Sequence, residues 1–121
     1  MNSENMTSCY MKLDSISAAC NEIKQALVEH LEKTSNQQYI SDIEKDVVTL
    51  ENLKLIMIAV KEDIESQKVG SCTELVLRIA ANEFKNKLNM IPEKRTLVKD
   101  IVQKLNEIHR EILNYTIASA Q

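Results

Sequence analysis

The chain has 121 residues and a formal net charge of −3, and its composition excludes several classes of protein. Hydrophobic residues make up 44% and charged residues 27% of the sequence, which is not the composition of a disordered chain. A single glycine and a single proline leave few of the residues that turns between strands require. The composition therefore predicts an all-α protein.

The N-terminal segment carries the clearest helical pattern. From Met6 to His30 its seam positions recur at alternating intervals of three and four residues. This is the a/d spacing of a helix that packs along one seam, and it predicts a first helix over residues 6–33. The polar run TSNQQ then ends the helix.

A second helix is predicted over residues 41–66, with Ile43, Leu50 and Met57 on one face. The run QKVGS, which contains the only glycine, follows it. Two capping boxes are candidates for its start, namely Ser35 with Gln38 and Ser41 with Glu44.

Two further helices are predicted over residues 72–89 and 93–117. Ser71 followed by Glu74 is a capping box for the first of them. Pro92 stops this third helix and suits the first turn of the fourth, where its missing N–H costs nothing. Four helices with short connections predict one helical domain over residues 1–121, folded as an antiparallel four-helix bundle with coiled-coil-like heptad faces.

The second helix is apolar on more than one face, because the segment LKLIMIAV is apolar at nearly every position. Val48, Leu55 and Ala59 fall opposite its main stripe, and Leu75 and Ile79 lie off the main stripe of the third helix. Two interpretations stay open. The second stripes complete the core of the bundle, or these five residues form an interface with a partner chain.

A basic cluster extends from the end of the third predicted helix into the fourth. Such a cluster is a possible contact for an acidic polymer such as nucleic acid or a microtubule. A pI near 5.4 disfavours that contact through this chain alone. The cluster consists of Lys85, Lys87, Lys94, Arg95, Lys99 and Lys104.

No motif for catalysis appears in the sequence. With one glycine there is no loop to cradle phosphate, and no GxGxxG, Walker or GxSxG arrangement is present. His109 sits beside the apolar seam, and Glu107 and Glu111 nearby are interpreted as ordinary decoration of a helix surface. We therefore expect no catalytic residues and no cofactor.

Cys9, Cys20 and His30 invite a comparison with metal sites. Along a continuous helix the successive pairs stand about 16 Å and about 15 Å apart, too far to hold one zinc ion. We expect no metal site and interpret the thiols as small apolar side chains. The alternative is a parallel self-pair, in which each cysteine faces its own copy across a seam.

Residues 91–108, IPEKRTLVKDIVQKLNEI, resemble the helical arm of the SUMO-ligase subunit of SMC complexes, over less than a sixth of the chain. The zinc-binding cysteines and histidines of that family are absent, so the resemblance implies no ligase activity. In general character the chain is similar to small helical subunits of spindle, kinetochore and chromosome-associated assemblies.

The sequence thus predicts a non-enzymatic helical subunit of a multi-protein assembly, which meets helical partner chains or its own copies by helix–helix packing. The alternative is a self-contained bundle that acts as an adaptor or inhibitor and binds a partner's amphipathic helix. The sequence shows no membrane-spanning stretch or signal peptide, and its three cysteines lack CxxC spacing. These features predict an intracellular protein, cytoplasmic or nuclear.

Overall fold

The computed structural model describes residues 1–87 and 91–120. Its helices are α1 (Ser3–Lys33), α2 (Gln37–Glu65), α3 (Ser71–Lys87) and α4 (Arg95–Ala120), with a short 3-10 helix (Pro92–Lys94) leading into α4. Each helix packs against its neighbours in the chain, and α4 packs back on α1. The predicted all-α, antiparallel four-helix bundle is confirmed.

The seam residues of the four helices meet in one core. The predicted seam of α1 is buried from Cys9 to Leu27, whereas its two outermost members, Met6 and His30, are only half-buried. Burying a leucine or isoleucine side chain stabilises the fold by about 1.5–3 kcal/mol relative to leaving it exposed. The largest fully buried side chains are Leu13, Ile16, Ile23, Leu27, Ile43, Leu50, Leu77, Phe84, Ile101, Leu105, Ile108 and Ile112.

Asparagine caps start the first two helices. The Asn2 side chain accepts a hydrogen bond from the N–H of Asn5 at 2.8 Å, and the Asn36 side chain accepts one from the N–H of Tyr39 at 3.1 Å. Asparagine satisfies the free N–H groups of a first turn as well as serine does. Both helices therefore start earlier than predicted, and the capping boxes Ser35–Gln38 and Ser41–Glu44 were wrong.

The turn between α2 and α3 begins with Gln67. Its φ angle is 58°, and among the described residues it is the one non-glycine residue with a positive φ. The N–H of Lys68 donates to the carbonyl of Asp63 at 2.8 Å, and the N–H of Gln67 donates to the carbonyl of Ile64 at 3.2 Å. These two bonds form a Schellman motif, which satisfies the last carbonyls of α2. The left-handed position is thus taken by glutamine, although Gly70 lies only three residues further on.

Thr73 fastens the start of α3 to the end of α2. Its hydroxyl donates to the Asp63 carboxylate at 2.9 Å and accepts from the N–H of Gly70 at 3.3 Å. Thr73 is 3% exposed, and the hydrogen bonds of its hydroxyl are partly buried. The predicted capping box of Ser71 with Glu74 was wrong, because Glu74 turns to His109 of α4 instead, at 2.5 Å.

Pro92 occupies the first turn of the 3-10 helix that opens α4, as predicted. The predicted end of the third helix at residue 89 lies outside the described residues. Helix α4 runs on to Ala120, three residues beyond the predicted end.

Asp46 is a carboxylate in the seam of α2, 5% exposed. Its Oδ2 atom has no hydrogen-bond partner within the described part of the chain. Burial, reinforced by the neighbouring Asp42 carboxylate, raises the pKa of Asp46 to about 6. Lys45 of the same helix and Lys87 of α3 border the same cleft, but neither forms an ion pair with Asp46 in the described part of the chain.

Asp46→Asn is expected to remove a pH dependence of stability. Between pH 4 and pH 6 the folded protein keeps a proton on Asp46 that the unfolded chain releases, so the free energy of unfolding falls as pH rises through this window. The loss is on the order of 2–3 kcal/mol. Urea unfolding at both ends of the window measures it.

The variant should match the parent at the acidic end and exceed it at neutral pH. Asp14→Asn, at an exposed position of α1, is the matched control and should leave the difference unchanged. If Asp46→Asn shows the same pH profile as the parent, the carboxylate is ionised and compensated in the folded protein.

Candidate partner-binding surface

The second apolar stripe of α2 lies on the surface of the bundle. Leu55 is 63% exposed, Val48 is 57% exposed, and Ala59 is also exposed. The opposite side of the same helix carries Leu50 and Met57, which are buried in the core. The interpretation that the stripe completes the core of this chain is therefore wrong.

Helix α3 exposes the two residues predicted beside that stripe. Leu75 is 41% exposed and Ile79 is 47% exposed. Helices α2 and α3 pack against each other, and side chains such as Ile56 of α2 and Ala80 of α3 line a narrow crevice between them. The five predicted residues thus lie on the two adjacent helices, and we call them the α2–α3 face: Val48, Leu55, Ala59, Leu75 and Ile79.

Two further apolar residues of α2 and α3 are exposed besides the five predicted interface residues. Ile58 is 54% exposed and Val76 is 40% exposed. Ile58 belongs to the run LKLIMIAV and follows Leu55 by three residues, which puts both on neighbouring parts of the helix surface. That spacing was a sufficient signal for Ile58.

The structure divides the basic cluster into paired and unpaired members. Lys94 of the 3-10 helix binds Glu22 of α1 at 3.3 Å, and Lys87 binds Glu83 at 3.8 Å. Lys104 pairs with Asp100 one turn earlier on α4. Within residues 1–87 and 91–120, the members that form no ion pair are Lys85, Arg95 and Lys99.

Glu107 and Glu111 do more than decorate the surface of α4. The Cys9 thiol donates to Glu111 Oε2 at 3.0 Å, and Lys12 Nζ lies 3.6 Å from Glu107 and 3.7 Å from Glu111. These contacts join the N-terminal part of α1 to the C-terminal part of α4. The interpretation of the two glutamates as ordinary decoration was wrong.

The two histidines also connect helices. His109 Nε2 lies 2.5 Å from a carboxylate oxygen of Glu74, in a partly buried contact between α4 and α3. At the other end of the bundle His30 contacts the Tyr39 hydroxyl at 3.2 Å and Glu93 at 3.2 Å. Both imidazoles are therefore held by neighbours from other helical segments.

Cys9 and Cys20 are fully buried in the core, whereas Cys72 is exposed. Burial and then the hydrogen bond to Glu111 raise the pKa of Cys9 to about 12. Burial raises the pKa of Cys20 to about 12 as well. A parallel self-pair through these two cysteines is contradicted, because both thiols point into the bundle.

In the described part of the chain no helix combines the length and the apolar content needed to cross a membrane. The same residues hold no group of three or more His, Cys, Asp or Glu side chains placed to bind one metal ion. No protein-family model matches the sequence, and comparisons with curated proteins and with solved structures find no significant match.

Thiol reactivity tests the cysteine environments directly. With excess iodoacetamide at mildly alkaline pH, Cys72 should be alkylated first, and Cys9 and Cys20 at least about a hundredfold more slowly, because only the thiolate reacts. Intact-mass spectrometry over time measures the rates. Cys72→Ser should abolish the fast adduct, and a second adduct as fast as the first would show that a core thiol reaches solvent.

Proposed function

We propose that the protein is a non-enzymatic helical subunit of a multi-protein assembly, which contacts partner chains through the α2–α3 face. The exposure of this face carries the proposal. Leu55 and Val48 stay more than half exposed on a helix whose other side is already in the core. A helix with apolar residues on both sides gains stability when both sides are covered.

The dimensions of the face suit a helical partner. From Val48 to Ala59 it extends about 16 Å along α2, roughly three helical turns. Covering an exposed leucine or isoleucine fully is worth about 1.5–3 kcal/mol. Two adjacent helices that both present exposed apolar side chains therefore offer positions against which a further amphipathic helix can pack.

A second candidate function has its own observation. The core is closed by seam residues of all four helices, down to a fully buried Ile112 near the end of α4. A chain with such a core needs no partner to fold, which favours a self-contained adaptor or inhibitor that holds a partner's helix against α2 and α3. The two functions use the same face and differ in whether the chain is monomeric alone.

We place such an assembly in the cytoplasm or nucleus, where reducing conditions suit three free cysteines. A spindle, kinetochore or chromosome-associated complex is our example of the kind of assembly. The general character of the helices supports that choice.

Leu55→Glu tests the role of the α2–α3 face. Because Leu55 is 63% exposed, the variant should keep the free energy of unfolding of the parent to within about 0.5 kcal/mol. Its charge should instead prevent association, since an unpaired carboxylate would be buried in the contact. Light scattering over a range of concentrations measures association, and thermal unfolding measures stability.

Met11→Glu is the matched control, because Met11 is 68% exposed but lies on α1. For a complex subunit, the parent and Met11→Glu should associate, and Leu55→Glu should be monomeric. If all three are monomeric, the adaptor is favoured. If Leu55→Glu is less stable than a monomeric parent, Leu55 serves the fold and the proposal fails.

A further inference from the structure

A cleft lies where the end of α3 approaches the start of α4. The cleft is open to solvent on one side and has a volume of about 310 Å³. Part of its lining is apolar and consists of Ile91, Pro92, Val98 and Val102, which we call the apolar floor. Ile91 is buried, and Val98 and Val102 are half-buried against the core, whereas Pro92 is exposed.

The rim of this cleft is formed by the three unpaired members of the basic cluster, Lys85, Arg95 and Lys99. The nearby carboxylates are committed elsewhere. Glu93 turns toward α1, where it contacts His30 at 3.2 Å, and Asp100 pairs with Lys104. Three positive charges therefore line the same cleft as the apolar floor, and none of them forms an ion pair with the described residues.

The geometry points to a binding site for a small amphipathic anion, an apolar body that carries a carboxylate or phosphate head. Ligand sites are mostly apolar clefts with a few charged groups, and 310 Å³ lies at the low end of their usual range. The apolar body would cover Val98 and Val102, and the head would accept charge-assisted hydrogen bonds from Arg95 and Lys99.

The size of the cleft favours a small ligand over a macromolecule. Arg95 and Val102 are seven residues apart, so the lining along α4 extends about 10 Å. A helix of a protein partner would fit less than two of its turns into that length. An acidic polymer would gain from the three cations but would leave the apolar floor uncovered. An amphipathic anion uses both parts of the site.

Titration with decanoate and with octyl phosphate, both below the concentration at which they form micelles, tests the site on the full chain. Binding is followed by methyl NMR, with shifts expected at Val98 and Val102. Inorganic phosphate, which lacks the body, and octyl glucoside, which lacks the charge, should each bind at least about tenfold more weakly.

The double variant Arg95→Glu with Lys99→Glu should lower the affinity by at least about tenfold and keep the fold, because both side chains are exposed. Arg110→Glu, an exposed arginine further along α4, is the matched control and should bind like the parent. Arg95→Lys keeps the charge and should retain most of the affinity.

Three results would overturn the assignment. In the first, neither amphipathic anion binds, or inorganic phosphate binds as tightly as they do. In the second, only poly-glutamate binds, which identifies a contact for acidic polymers. In the third, only vesicles of anionic lipid bind while the soluble amphiphiles do not, which identifies a membrane contact.

Discussion

Helix α2 carries apolar side chains on two opposite sides, and a four-helix bundle can bury only one of them. The bundle buries the side with Leu50, Met57 and Ile64, which are at most 2% exposed. The side with Val48 and Leu55 is left in solvent at more than half of its possible exposure. The closed core and the exposed α2–α3 face are thus two consequences of one helix.

Neighbouring helices are joined by polar contacts as well as by the hydrophobic core. Thr73 links α3 to α2, His109 and Glu74 link α4 to α3, and Cys9 with Glu111 links α1 to α4. Each contact lies at a partly or fully buried position, where a hydrogen bond left without its partner costs about 1–3 kcal/mol. Such contacts favour one register of the helices over registers shifted along the helix axis. Hydrophobic burial alone distinguishes these registers less sharply.

Much of the fold could be predicted from the sequence, because spacing alone determines which residues share a helix face. The seam from Cys9 to Leu27 and the place of Pro92 were predicted correctly on that basis. The helix starts were wrong because several polar residues precede each helix, and local spacing does not say which of them caps it. Asn36 stands beside Ser35, and both are good caps.

The features of the candidate site were predictable only in part. A helical wheel shows that α2 has two apolar sides, but it does not show how many neighbours the helix has. The contacts of Glu74 and Glu111 join residues 35 and 102 positions apart, so no local pattern contains them. The division of the basic cluster into paired and unpaired members was also hidden from local patterns, because Lys94 pairs with Glu22 of another helix.

Solvent accessibility of methyl groups, measured by NMR with a soluble paramagnetic agent, tests the central claim most directly. In dilute protein the methyl signals of Val48, Leu55 and Ile79 should broaden strongly, while those of Ile16 and Leu105 should persist. Protection of the first group on association with a partner or a second copy would identify the contact. If the α2–α3 face is as protected as the core at the lowest concentration of monomer, the account is contradicted.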